Sequence, residues 1–434
     1  MDSTAVILAA GFGTRMKSAL PKALHKIAGR SMLRHLLASV EQVFDHIVVV
    51  IGPEMDAVRK EAAPHTCVVQ QDRRGTAHAA LMAAPEFGGG KVAVLYADNP
   101  LIEPDTLRRL LEHDAPLALL AFRPDDPAHY GRVLMHDGSV ERIVEWADAS
   151  EAERDEGLCN AGTFCAASSD MLRWLHDVRA DNAKGEYYLT DVVALAHAEG
   201  ACVAAVEAPA EEVAGINSRR ELAVAESVVQ ARLRAAAMDA GVTMTDPSSV
   251  FLCADTQLAP DVTIEPNVVF GPGVRVKEGT EILAFCHLEG CTIGDHCRVG
   301  PFARIRPATV LAETVHVGNF VEIKAANLGI GAKANHLSYL GDAEVGAATN
   351  IGAGTITCNY DGLEKHRTKI GSHAFVGSDT MLVAPVTIGD GAAIASGSVI
   401  TEDVPADALA IARGRQVNKP GRAATMPHAR KRTR

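Results

Sequence analysis

IGSHAFVGSDTMLVAPVTIGDGAAIASGSVI, residues 370–400, decides the fold of the C-terminal half of this 434-residue chain. Ile370, Val376, Leu382, Ile388, Ile394 and Ile400 stand six apart without slip, often with glycine following. The same step runs upstream through Ile264, Phe270, Val276, Ile282 and Leu288, resumes through Ile293, Val299, Ile305, Leu311, Val317 and Ile323, and reappears in Val345 and Ile351. Chance periodicity in a Gly- and Val-rich sequence does not hold so many positions in phase. A coil of three short strands, each turning one aliphatic side chain inward, explains the step, because stacked coils then share one continuous core. The expectation is a β-helix of hexapeptide repeats. NYDGLEKHRT (359–368) breaks the period and is expected to project as a loop, the kind of place where solenoids carry chemistry.

Toward the N-terminus the pattern changes. SRRELAVAESVVQARLRAAAMDAG (218–241) has helical spacing, no proline and a capping-like Ser218, and reads as a connecting helix. The first 220 residues alternate β-branched runs, AVIL (5–8), HIVVVIG (46–52) and KVAVLYAD (91–98), with helical stretches, which predicts a parallel sheet covered by helices on both faces. One core rarely serves so long a chain. The expected division is therefore 1–217, a linker helix over 218–245, a β-helix over 246–415 and a basic, disordered tail over 416–434.

A net charge of −12 argues against a sequence-independent nucleic-acid binder, which needs a basic surface, so small molecules are the expected partners. The start MDSTAVILAAG has no basic n-region, and nowhere do 18 uncharged apolar residues follow one another, so a cytoplasmic protein with no membrane span is expected. Nine scattered cysteines show no CxxC pair and read as reduced thiols packed as small hydrophobes.

LAAGFGTRM (8–16) follows the first predicted strand, and Gly11 and Gly13 let backbone amides approach phosphate oxygens closely. Alone this could be an ordinary tight turn. Lys22 in LPKALH (20–25), DRRGTAHA (72–79) and VLYADNPL (94–101) follow at strand ends or beside them, and together these segments resemble the sugar-phosphate nucleotidyltransferase family. The resemblance implies that Leu8, Ala9, Ala10 and Gly11 hold the nucleotide, Arg15 and Lys22 the phosphates, and Gln70, Gly75 and Thr76 the uracil ring. It makes Asp98 a Mg²⁺ ligand assisted by Asn217 of GINSRREL (215–222). Read without the resemblance, Asp98 and Asn217 could each be a helix cap. YGRV (130–133), IVEWADA (143–149), NAG (160–162) and GEYYLTD (185–191) match sugar-binding segments and imply Gly131, Glu145, Asn160 and Thr190. The chain departs from the family in Ala97, where glycine is usual, and in Ala161, where threonine is usual. Cations and Mg²⁺ are what the chemistry needs, since attack of a sugar phosphate on a nucleoside triphosphate gathers several negative charges.

In the repeats, GPFARIRP (300–307), HVGNFVEIKAA (316–326), KANHLSYLGDAEVG (333–346) and NIGAGTITCNYDG (350–362) resemble the bacterial bifunctional family of N-acetylglucosamine-1-phosphate uridylyltransferases and glucosamine-1-phosphate acetyltransferases. The resemblance then spans nearly the whole chain. It implies His336 as general base, since an amine must lose a proton to attack a thioester and imidazole titrates near working pH, with Glu322 to orient it. It gives Arg306 and Lys324 to the sugar phosphate, Tyr339, Asn350, Asn359 and Lys365 to the sugar pocket, and Ala353, Asn359, Tyr360, Ser378, Ser396 and Arg413 to acetyl-CoA. It also implies a homotrimer. The fold class expected is α/β plus β: a Rossmann-like nucleotidyltransferase domain with a parallel-rich sheet, a linker helix and a left-handed parallel β-helix of hexapeptide repeats. Two other readings use the same fold, nucleotidyl transfer alone with the β-helix as an oligomerisation platform, and a non-catalytic assembly subunit. His336 and Arg306 speak against the first, and Arg15, Lys22 and Asp98 together against the second.

Overall fold

The computed structural model describes residues 2–11, 13–127, 130–182 and 184–427, so HARKRTR (428–434), the end of the expected tail, lies outside the described residues. The chain forms two compact units, Met1–Arg232 and Leu233–Arg434. The helix expected from Ser218 to about Gly241 runs Arg219–Asp239.

The first unit is built on nine strands: β1 (Ser3–Leu8), β2 (His46–Ile51), β3 (Thr66–Val69), β4 (Lys91–Tyr96), β5 (Leu117–Phe122), β6 (Arg132–His136), β7 (Ser139–Val144), β8 (Cys159–Ala167) and β9 (Val203–Glu207). Their order is β9-β5-β8-β4-β1-β2-β3, with the β6–β7 hairpin joined through β8. Ile7 pairs in parallel with Val49 on one side and Leu95 on the other. Side chains alternate across a strand, and here both faces are buried: Ala5 and Ile7 enter one apolar cluster with Leu33, Leu36 and Leu37, while Val6 enters another with Trp174 and Val192. The helix Met32–Val40 supplies its stripe at helical spacing, and Ser31 caps it by accepting from the Arg34 amide at 3.1 Å. The sheet is parallel-rich, as expected, with one strand that the alternating rhythm alone does not place. β8 runs antiparallel to both β4 and β5, because it is reached through a hairpin and a short helix rather than by a crossover that returns the chain to the same end.

The second unit is three parallel sheets of ten, eight and eight strands. Ile264 pairs with Ile282, and Ile282 with Val299, so one coil takes 18 or 17 residues. Ile351 pairs with Val376, 25 residues on, and the surplus is the 359–368 excursion. Every aliphatic residue of the six-residue series is buried, from Ile264 at 0% exposure to Ile400 at 4%. One corner repeats in successive coils as Phe285, Phe302, Phe320 and Leu337, all at positive φ and all turned outward. The rings of Phe285 and Phe302 stack 4.8 Å apart, and those of Phe302 and Phe320 5.2 Å apart.

Candidate active sites

In the first unit a cavity of about 460 Å³ opens where β1, β3 and β4 end. Ligands of open α/β sheets bind at such carboxyl ends. Leu8, Ala9, Ala10 and Gly11 line it from the turn after β1, with Lys22, Gln70, Gly75, Thr76, Asp98, Glu145 and Thr190 from elsewhere. Arg15, Gly131, Asn160 and Asn217 are not among the lining residues.

The turn before helix Thr76–Met82 is held from two sides. Buried Gln70 donates from Nε2 to the Gly75 carbonyl at 3.1 Å. Gly75 has a φ of 121°, and a Cβ there would run into the Tyr187 backbone. Tyr187 N–H donates to the Arg74 carbonyl at 2.8 Å, and Thr76 Oγ1 accepts from the Leu189 amide at 2.9 Å. GEYYLTD thereby fixes DRRGTAHA from 113 residues away in sequence.

Beside the turn after β1, Lys22 Nζ lies between the Asp98 carboxylate, with which it is ion-paired, and Asn217 Oδ1 at 2.6 Å. Arg15 Nη2 donates to the same Asn217 oxygen at 2.6 Å. The helix after Asp98, Pro104–Glu112, takes Glu103 at its N-cap position, so Asp98 is no cap. Ser218 and Glu221 tie the start of helix Arg219–Asp239, the Ser218 amide donating to Glu221 Oε2 at 2.7 Å, which leaves the Asn217 side chain for the two cations. Two hard oxygen donors converging on a cationic group fit Mg²⁺, which takes one or two protein oxygens and fills its octahedron with water and phosphate.

Elsewhere in the lining, burial pushes the Glu145 carboxyl above its ordinary range, and Lys184 pulls the other way. Gly131 accepts from the Asn160 amide at 2.9 Å, and Asn160 Oδ1 accepts from the Gly162 amide at 2.9 Å. Gly162 sits at φ 81° against the Tyr96 ring. Ala97 and Ala161, the two departures from the family pattern, are both buried in one apolar cluster. Sequence reasoning missed Arg73, Tyr96, Lys184, Glu186 and Tyr188 in the lining. All lie inside or beside the quoted motifs, but which side chain faces the cavity depends on the fold.

On the β-helix, His336 is exposed, and its Nδ1 lies 3.0 Å from Asn319 Oδ1. Glu322, expected beside His336, is bonded instead to Arg306 at 2.7 Å. The register explains this, since Asn319 pairs with His336 while Glu322, past the corner at Phe320, pairs with Tyr339. Lys324 Nζ stands 3.7 Å from Asp342 Oδ2, which accepts from Asn359 Nδ2 at 2.5 Å. Lys365, from the projecting loop, has its ammonium held below the usual amine range by neighbouring Lys324. Asn350 lies one coil beyond Lys333 on the sheet that carries His336. Ala353, Ser378 and Ser396 each follow by two residues the paired Ile351, Val376 and Ile394, so they stack in successive coils. Arg413 donates to the Ser396 carbonyl at 2.9 Å, and Tyr360 stands exposed on the loop. Asn319 and Asp342 were missed, although both lie in the quoted segments.

Three family models match the chain: the MobA-like NTP transferase domain over residues 5–163, the GMPPB C-terminal domain over 241–334 and the six-repeat bacterial transferase hexapeptide over 367–402. The chain is 63% identical to the bifunctional protein GlmU of Acidiphilium cryptum, with 98% of each chain covered. It is 64% identical to that of Granulibacter bethesdensis, covering 98% of this chain and 96% of the relative. It is 62% identical to that of Gluconacetobacter diazotrophicus, covering 99% and 95%.

Proposed function

The chain belongs to the family of bifunctional GlmU proteins, and from that premise we propose how its residues divide the work. It is a uridylyltransferase and an acetyltransferase in one polypeptide. The second unit moves the acetyl group of acetyl-CoA to glucosamine-1-phosphate. The first joins the product to UTP, giving UDP-N-acetylglucosamine and pyrophosphate. The observation that carries this division is that each unit gathers its own reactive groups: Arg15, Lys22, Asp98 and Asn217 in one, His336 and Asn319 in the other.

For uridylyl transfer, Gln70, Gly75 and Thr76 receive the base, Arg15 and Lys22 the phosphates, and Gly131, Glu145, Asn160 and Thr190 the sugar. Asp98 and Asn217 hold Mg²⁺, which supplies neutralisation of phosphate charge when bound. No protein nucleophile is needed, since the sugar phosphate oxygen attacks the α-phosphorus and pyrophosphate leaves. Fixed cations that meet charge as it develops lower the barrier most.

For acetyl transfer, Arg306, Lys324 and Lys365 receive the sugar phosphate, with Tyr339, Asn350 and Asn359 around the sugar. Ala353, Tyr360, Ser378, Ser396 and Arg413 lie along acetyl-CoA. An amide oxygen only accepts, so Asn319 fixes the proton of His336 on Nδ1 and leaves the Nε2 lone pair as base. Nε2 takes the proton of the sugar amine as its nitrogen attacks the thioester carbonyl, and as the C–S bond breaks the proton passes to the departing sulfur, releasing coenzyme A as the free thiol.

A homotrimer is the assembly proposed, supported by the outward ladder Phe285, Phe302, Phe320 and Leu337 next to His336. A cytoplasmic location is proposed, in keeping with cysteines such as Cys165 and Cys291 that pack as small buried hydrophobes. No helix among the described residues is long and apolar enough to cross a membrane.

Purified protein given Mg²⁺, UTP and N-acetylglucosamine-1-phosphate should release pyrophosphate. Given acetyl-CoA and glucosamine-1-phosphate it should release free thiol. Absence of thiol release would leave nucleotidyl transfer alone.

A further inference from the structure

Arg73 precedes the uracil-binding Gly75 and Thr76 and lines the same cavity. Its Nε donates to the carbonyl of Ala10 at 2.8 Å, a contact across 63 residues of sequence. Ala10 belongs to the turn after β1, whose next amide is that of Gly11, another lining residue. The guanidinium is therefore bonded to the backbone of the loop that receives the nucleotide. Room for it comes from Gly52, just past the end of β2. A Cβ on Gly52 would fall on the Arg73 guanidinium and lie 3.3 Å from the Ala10 carbonyl oxygen. Gly52 has no positive φ, so its backbone does not require glycine. The space it leaves is what the arginine uses. Arginine suits this place because it stays charged and its planar fork presents donors at fixed angles.

We propose that Arg73 is a positioning residue for the nucleotide: it holds the Ala10–Gly11 peptide in place through the Ala10 carbonyl, with Gly52 as its slot, so that the loop amides meet the phosphates preformed. The proposal rests on the assignment of this cavity to UTP. Arg73 acts on nucleotide affinity through the loop rather than on the chemical step, and a preformed loop avoids an ordering cost on binding.

Two variants reach the contact from opposite sides, Arg73→Ala by removing the donor and Gly52→Ala by filling the slot. Each should weaken UTP binding, measured by calorimetry, about tenfold, the change expected from losing one charge-assisted hydrogen bond. KM for UTP should rise in step with kcat changed less than about threefold, while KM for the sugar phosphate and acetyl transfer by the other unit stay put. The Arg73→Ala, Gly52→Ala double variant should bind UTP no more weakly than Arg73→Ala alone, because the slot is empty once the guanidinium is gone. Unchanged UTP affinity in Arg73→Ala, or additive losses in the double variant, overturns the proposal. Wild-type protein that binds UTP without releasing pyrophosphate would overturn the assigned reaction and leave the binding comparison intact.

Discussion

Asn319 Oδ1 lies 3.0 Å from Nδ1 of His336, one coil away at the same register position. The fixed spacing of the coils sets this pair, so the solenoid itself brings to the ring the group proposed to orient it. His336→Ala should lower acetyl transfer by about 10²–10⁴-fold, the range of general-base catalysis, and leave pyrophosphate release unchanged. Asn319→Ala should lower it by about tenfold, since the ring remains but is no longer oriented. Coupled thiol and pyrophosphate assays on the same preparation check both.

Asp98 and Asn217 converge on Lys22 with oxygens that suit a divalent cation. Chelation with EDTA should stop pyrophosphate release and spare acetyl transfer, with full recovery on adding Mg²⁺. Asp98→Asn should cost the uridylyl reaction at least about 10²-fold, the scale of one lost electrostatic partner of the transition state. UTP binding by that variant, measured by calorimetry, checks that the unit carrying Asp98 is folded.

Burial, with Asp148 nearby, raises the Asp191 carboxyl from 3.8 to about 6. A raised carboxyl binds its proton more tightly folded than unfolded, so its stabilisation is complete below pH 3.8 and is lost as pH rises to about 6. Asp191→Asn cannot ionise. Its melting temperature, relative to wild type, should climb between about pH 4 and 6 and level off above. A flat difference across that window contradicts the assignment.

Gly162→Ala places a methyl at φ 81° against the Tyr96 ring. The left-handed backbone alone costs about 1–2 kcal/mol, so chemical denaturation should show at least that loss. Tyr96 must move to make room, and the sugar-phosphate KM should rise while acetyl transfer is untouched.

Phe320→Asp puts a charge in the middle of the outward ladder of Phe285, Phe302 and Leu337. If that ladder joins copies of the chain, sedimentation should show a lower mass than for the wild-type protein. Acetyl transfer should fall with it, since His336 lies next to Leu337.

The two halves were not equally legible. A solenoid core repeats one local rule, so Ile370 through Ile400 announced the β-helix without any long-range information, and each of those residues is buried. The α/β unit gave its strands and motifs but not its whole topology. The antiparallel course of β8 depends on where a hairpin returns the chain, and no local propensity encodes that. The motif residues Leu8, Gly11, Lys22, Gln70 and Asp98 do meet around one cavity, whereas Arg73, Lys184 and Tyr188 join them only because folding turns their side chains inward.

By itself the sequence determined the six-residue period, the alternating strands and helices, and the motifs that carry charge and glycine. These are local properties, written in neighbouring residues and in spacings of a few positions. Only the tertiary structure decided that Asn319 and not Glu322 faces His336, that Glu322 belongs to Arg306, and that Arg73 reaches Ala10 through the gap at Gly52. Such pairings depend on the 17-residue step between coils and on the turns of distant strands meeting in space, and Glu322, paired with Tyr339, stands three positions of register away from His336.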